Sequence, residues 1–189
     1  MTPTVRRELR PGDLGAIVAH HGARYSREFG VDPTFEAMVA DSVAAAGKRG
    51  FPRANERIWI VEAGGRHAGS LALTDEGSGL AMLRWFVLDP ELRGRGLGRR
   101  LVAELLETAK HAGYERIALE TFSNLRAAAH LYLSFGFELV WAQTGPRWGR
   151  DEIVYQRYEL VMSHVFQDRA QERSSRNAGS SARPFSVRA

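Results

Sequence analysis

Residues 83–101 read LRWFVLDPELRGRGLGRRL. The apolar run of Leu83 and Trp85 to Leu88 predicts a buried strand. It breaks at Asp89-Pro90, because proline removes a ladder donor. Glycines follow at 94, 96 and 98, and then a helical pattern of Leu101, Val102, Leu105, Leu106 and Ala109. A strand, a glycine turn and a helix start together make an anion site. First-turn amides lack internal partners, the helix dipole adds partial positive charge, and glycine lets the backbone come close. Arg93, Arg95, Arg99 and Arg100 crowd the same end. Four cations there oppose the dipole, and a bound anion reverses that cost.

Two familiar phosphate loops fit poorly. A Walker A loop needs Lys and then Ser/Thr after its last glycine, whereas Gly98 is followed by Arg99-Arg100. A dinucleotide fingerprint needs G-x-G-x-x-G, and Arg99 stands where its third glycine belongs. The segment also sits mid-chain rather than opening a βαβ repeat.

Arg93-x-x-Gly96-x-Gly98 resembles the R/Q-x-x-G-x-G/A signature of the GNAT family of acetyl-CoA-dependent N-acetyltransferases. Further on, SNLRAAAHLYLSFGFELV is similar to the family's next motif, N-x-x-A-x-x-x-Y-x-x-x-G-F, through Asn124, Ala127 or Ala128, Leu131, Tyr132 and Gly136-Phe137. The resemblance covers roughly Val5 to Met162. More narrowly, HHGARYSREFG with FEAMV, and the ending RWGRDEIVYQRYEL, look like acetyltransferase domains fused elsewhere to MarR-type winged-helix regulators. The family implies transfer of the acetyl group of acetyl-CoA, as co-substrate, directly to a primary amine. It also implies a mixed sheet that splays after the strand before the glycine turn.

Bulk properties bound the rest. A chain of 189 residues, 44% hydrophobic and 25% charged, reads as one ordinary globular domain. No apolar run reaches membrane-span length and the first residues are not a signal peptide. The absence of cysteine excludes disulfides, thiolate catalysis and cysteine-ligated metals, and fits a cytoplasmic protein. No His/Asp/Glu group has metal-ligand spacing, so no metal is expected. Of the formal net charge of +4, residues 167–189 carry +3. The folded part is then near neutral and no nucleic-acid partner is expected. Residues 1–165 read as the N-acetyltransferase domain, and 166–189, rich in Arg and Ser, as a disordered basic tail.

The predicted order is β-α-α-β-β-β-α-β-α-β-β, an α/β (α+β) mixed sheet with helices on both faces. Val5–Glu8 is the first strand. A helix runs from Asp13 to Phe29 with Gly30 as its cap, and a second starts at Asp32-Pro33. Arg57–Ala63, Arg66–Leu73 and Leu80–Leu88 form a meander turning at Gly64-Gly65 and at Asp75-Glu76-Gly77. After the third helix come strand Arg116–Thr121, helix Asn124–Phe135, and strands Phe137–Gln143 and Ile153–Val161, with a loop at Gly145–Asp151.

The chemistry needs an anchor for the diphosphate, a donor for the thioester carbonyl, a base and an acid. Arg93, Gly94, Arg95, Gly96, Leu97, Gly98 and Arg99 form the anchor, with backbone amides of residues 95–99 as donors. A strand amide near Val87 or Leu88, left unpaired by a bulge, is the candidate donor for the carbonyl, and the edge Phe86, Val87 and Leu88 could pair with the pantetheine arm. Asn124 is either the N-cap of the fourth helix or, as the family implies, a hydrogen-bond partner of that arm. Tyr132 matches the family's tyrosine and is the candidate general acid. Glu120 is the first candidate base, with Glu36, His21 and Tyr25 behind it; His130 reads as a surface residue. Trp85 and Trp141 read as core, and Trp148, in a basic loop that suits a carboxylate-bearing acceptor, as lining the acceptor mouth. The acceptor is a small-molecule or protein amine, and dimers are frequent in the family. The alternative is a catalytically silent acyl-CoA-binding module that keeps the glycine turn without a working acid and base.

Overall fold

Alternation along Arg57–Ala63 (β2) sends Ile58 and Ile60 to one side of the strand and Trp59 and Val61 to the other, and all four are buried. A strand buried on both faces needs a layer on each. The computed structural model, which describes residues 2–163, supplies both. The remaining elements are β1 (Thr4–Arg6), α1 (Asp13–Phe29), α2 (Pro33–Lys48), β3 (Arg66–Gly77), β4 (Leu80–Leu88), a 3-10 turn at Pro90–Leu92, α3 (Leu97–His111), β5 (Arg116–Phe122), α4 (Arg126–Leu133), β6 (Glu138–Arg147) and β7 (Arg150–Val161). The seven strands form one sheet in the order β1-β2-β3-β4-β5-β7-β6, in which only β4 and β5 pair in parallel. The expected mixed sheet with helices on both faces is what forms. The expected tail lies outside the described residues.

On one face Leu101, Val102, Leu105, Leu106 and Ala109 of α3, with Tyr132 of α4, meet Trp59, Val61, Leu71, Leu73, Leu83 and Leu119. On the other, Ile17 and Tyr25 of α1 and Phe35, Val39 and Val43 of α2 cover Ile58, Ile60, Ala72, Trp85 and Val87. α2 starts as its sequence predicts: Asp32 accepts from the Thr34 amide at 2.9 Å and Pro33 fills the first turn. α1 buries a polar residue with its apolar stripe. His21 is 4% exposed, donates from Nδ1 to the Ile17 carbonyl at 2.8 Å, and stacks on Tyr25. Burial lowers its pKa to about 4 against that hydrogen bond.

Several boundaries differ from the sequence reading. β1 lies two residues earlier at its C-terminal end. β3 continues through Asp75, which pairs with Ala81, and the reversal falls at Ser78-Gly79, both at positive φ. The Gly145–Asp151 segment is mostly strand, because β6 and β7 stay paired up to Arg147 and Arg150. Only Trp148-Gly149 turns. α4 is shorter than Asn124–Phe135, and its N-cap is Leu125 with no side-chain cap. Trp141, expected in the core, is 43% exposed because β6 is the sheet's last strand, with Leu139 and Val140 also exposed. No helix among the described residues is long and apolar enough to cross a membrane.

Leu101→Ala empties a fully buried site between α3 and the sheet and is expected to lower unfolding stability by about 2–5 kcal/mol, read as a lower urea midpoint. His21 in the unfolded chain takes up its proton near pH 6.5 and in the folded chain only near 4. Stability contributed by neutral His21 is therefore complete above about pH 6.5 and falls as pH drops toward 4. Melting temperature should decline across that window, and His21→Gln should flatten the decline; an unchanged slope would remove His21 as its source.

Candidate functional site

β4 and β5 pair over three residues, Leu80–Met82 against Arg116–Ala118, and then part. The reason lies in β4. Between the pairs Ala72↔Arg84 and Ser70↔Val87, β4 holds one residue more than β3, and Trp85 sits at φ 49. Such a bulge adds twist and turns the strand end away from its neighbour. Ser70 Oγ donates to the Trp85 carbonyl at 2.6 Å, and Trp85 Nε1 donates to Ser42 Oγ at 2.9 Å. The bulge falls at Trp85-Phe86, just before the Val87 or Leu88 amide expected from sequence as the carbonyl donor. Pairing with β3 also persists past Leu88, since the Asp89 amide donates to the Ala68 carbonyl at 2.9 Å. Leu88 faces the other way. Its carbonyl accepts from Arg93 Nε at 2.8 Å, and in an extended residue the amide points to the same side as the carbonyl. The Leu88 amide therefore faces the gap.

The glycine turn fills the end of that gap. Gly94 and Gly96 have φ 71 and 77 with open space where a side chain would be. Among the described residues, the amides of Gly94, Arg95 and Gly96 have no backbone acceptor, and the first helical bond runs from the Arg100 amide to the Gly96 carbonyl. The amides of Leu97, Gly98 and Arg99 are then free by construction. No side chain caps this end and no acidic residue stands in its first turn. A β-carbon at Gly98 would come within 3.4 Å of the Phe86 ring, so glycine there lets α3 approach β4.

The arginines behave differently from one another. Arg93 is spent. Its guanidinium donates to both carboxylate oxygens of Glu28 on α1, at 2.8 and 2.9 Å, besides the Leu88 carbonyl. Arg99 donates to Ser134 Oγ at 2.7 Å and lies 5.0 Å above the Phe135 ring. Arg95 and Arg100 are exposed. At the start of the turn, Asp89 is 2% exposed and accepts from Arg24 at 2.5 Å, from His20 at 3.1 Å and from Arg66. Burial alone would raise its pKa; Arg66 and Arg24 hold it below the usual carboxylate range. Arg24 and Glu28, one turn apart on α1, thus hold both ends of the loop.

A cleft of about 640 Å³ runs from Gly94, Gly96 and Gly98 past Phe86, Val87 and Leu88 to Tyr25 and Trp148. It brings together most of the residues named from sequence. Tyr132 lines it, 4% exposed, between Phe86, Phe137 and Tyr158, and its hydroxyl has no hydrogen bond among the described residues. Burial pushes its pKa well above the ordinary phenol value. Asn124 lines the cleft and is exposed; it is not the N-cap of α4, which leaves its amide uncommitted. Glu120 lines the opposite wall, accepting from the Tyr155 hydroxyl at 2.7 Å and from Arg157 at 3.2 Å. His21, Tyr25 and His130 reach the cleft, whereas Glu36 is exposed and outside its lining. Among the described residues no cluster of three or more His, Asp or Glu can hold a metal ion.

Sequence reasoning missed three features. Glu28 gave no signal, because its partner is 65 residues away. The Tyr155–Glu120 pair depends on β5 lying beside β7. The third is the strained turn. Trp148 and Gly149 have φ 53 and 71, a two-residue hairpin that favours Asn-Gly. The tip docks on the start of α2 through the Asp32 amide and the Trp148 carbonyl at 2.9 Å, and Trp148 is buried in the cleft wall.

The model of the acetyltransferase (GNAT) family matches residues 15–137. An uncharacterized N-acetyltransferase of Schizosaccharomyces pombe is 31% identical over 139 residues, 72% of this chain and 82% of its own length. The uncharacterized N-acetyltransferase YjgM of Escherichia coli is 31% identical over 137 residues, 71% and 81% of the two chains. Among solved structures, yncA of Salmonella typhimurium, crystallised with its cofactor acetyl-CoA, has the same fold, with a TM-score of 0.61 at 19% identity. The match covers 86% of this chain and 95% of that one. With the glycine turn, the parted strands and the cleft between them in place, the chain belongs to the GNAT family of acetyltransferases.

Proposed function

We propose that this protein is a cytoplasmic N-acetyltransferase that passes the acetyl group of acetyl-CoA directly to a primary amine. The observation that carries the reading is a run of amides, Gly94 to Arg99, without backbone acceptors, at an uncapped helix start that opens into the gap between two parallel strands. That arrangement fits a diphosphate, which the run of amides and the helix dipole would bind together. Acetyl-CoA supplies an activated thioester; the remaining steps fall to the chain's own groups. Arg93 would fix the loop against α1 rather than touch phosphate, since Glu28 already takes its fork. Phe86, Val87 and Leu88 offer a free strand edge to the pantetheine arm, and the Asn124 amide a further donor and acceptor. The Leu88 amide is the donor for the carbonyl whose charge grows during attack.

Tyr132 is the group that returns a proton to the departing thiolate. Burial holds the phenol protonated, and its hydroxyl is not engaged elsewhere. Glu120 takes the proton of the amine, directly or through water. Tyr155 and Arg157 use one site on each of its oxygens, and an ionised carboxylate has more than those two.

Calorimetry should register binding of CoA, and release of free thiol from acetyl-CoA should depend on an added amine. Absence of CoA binding to folded protein at millimolar ligand would sink the reading. Binding with no turnover on any amine would leave a silent acyl-CoA module instead. Tyr132→Phe should keep CoA affinity and lower kcat roughly ten-fold to a thousand-fold, within the range for a lost general acid; an unchanged kcat removes Tyr132 from proton transfer.

A further inference from the structure

The acceptor half of the cleft is a continuous wall of rings. Tyr25 stacks on Phe35 at 4.7 Å, Phe35 meets Trp148 edge-on at 5.0 Å, and Trp148 meets both Phe122 and Tyr155 edge-on, at 5.6 and 5.7 Å. Trp148 holds this place at φ 53, a left-handed conformation that a bulky residue rarely adopts. The hairpin itself has no use for an indole at that position. Packing of the buried indole against Phe35, Phe122 and Tyr155 holds it there and fixes the position of this part of the wall. The wall is apolar, with most of its rings set edge to face.

Most arginines around this wall are committed, although Arg126, which lines the cleft at the start of α4, has no hydrogen bond or ion pair among the described residues. Arg84 is held by Thr74 and Glu76, Arg157 by Glu120 and Glu159, and Arg150 donates to the Phe29 carbonyl. Arg147 differs. Its guanidinium lies 4.4 Å above the Tyr155 ring and 5.5 Å from that of Trp148, with no hydrogen bond or ion pair among the described residues. Stacking fixes the plane of an arginine fork and leaves its N–H edge unspent, the form suited to a carboxylate.

Resting on the N-acetyltransferase reading, we propose that the acceptor is an α-amino acid with a large apolar side chain, its carboxylate on the Arg147 fork and its side chain against the ring wall of Tyr25, Phe35, Trp148 and Tyr155. A polyamine is the opposite case: its second cation would meet Arg147 and be repelled, and Glu120 is already compensated by Arg157.

The test follows thiol release from saturating acetyl-CoA with matched acceptors: L-phenylalanine against 2-phenylethylamine, L-tryptophan against tryptamine, and spermidine. Wild type should favour each acid over its decarboxylated partner by about ten-fold or more in kcat/KM, as expected when a site's polar group is left unpaired by the poorer substrate. Arg147→Met should erase most of that ratio through KM, and Arg147→Lys should keep part of it. CoA calorimetry on both variants checks that they are folded. A wild-type preference for the decarboxylated amines or for spermidine overturns the proposal, as does a ratio that Arg147→Met leaves unchanged. CoA binding with no turnover of any of the five acceptors overturns it too. Loss of CoA binding in the wild type would instead strike the acetyltransferase reading beneath it.

Discussion

The whole site depends on a failure of strand pairing. β4 and β5 begin as parallel neighbours and lose each other after Met82 and Ala118. Had they stayed paired, the Leu88 amide would be bound in a ladder and the cleft would be closed by main chain. The extra residue at Trp85-Phe86 prevents this, and the left-handed Trp85 is kept in place from both sides, by Ser70 at its carbonyl and Ser42 at its indole. A sheet that is otherwise continuous over seven strands is thereby opened at one point. The opening lies at the end of β4, where the phosphate-type turn of α3 begins.

The two halves of the cleft are not independent. α1 carries His21 and Tyr25 toward the acceptor side, and the same helix holds the turn through Arg24–Asp89 and Glu28–Arg93. The Arg24–Asp89 pair is nearly buried, so salt weakens it little, whereas the exposed Arg93–Glu28 pair is screened more. Movement of α1 is thus transmitted to the turn by two charged contacts rather than by packing alone.

Much of this was legible in the sequence. The apolar run, the proline break and the glycines located β4, the turn and α3, and Ile58/Ile60 against Trp59/Val61 indicated a sheet covered on both faces. Asp32-Pro33 marked α2 almost to the residue. What failed had a common cause: the deciding partner was distant in the chain. The Gly145–Asp151 stretch looks like a loop by composition, yet pairing between β6 and β7 carries the strands through it. The contact of Arg93 with Glu28 is announced by nothing nearby in the chain. Asn124 looks like a cap, but the helix begins after Leu125. Trp141 looks like core until β6 proves to be the outermost strand. Local pattern reports periodicity and turn chemistry; it carries no information on which strand lies at an edge or which carboxylate meets which arginine.

The hairpin tip at Trp148-Gly149 sets two selective pressures against each other. Asparagine or glycine at 148 would relax the backbone, but it would empty a buried site among Phe35, Phe122 and Tyr155, a loss of about 3–5 kcal/mol that outweighs the relief. The cleft would then lose part of its wall and widen toward solvent. A descendant that changes its acceptor therefore keeps the indole unless another group fills the space it leaves.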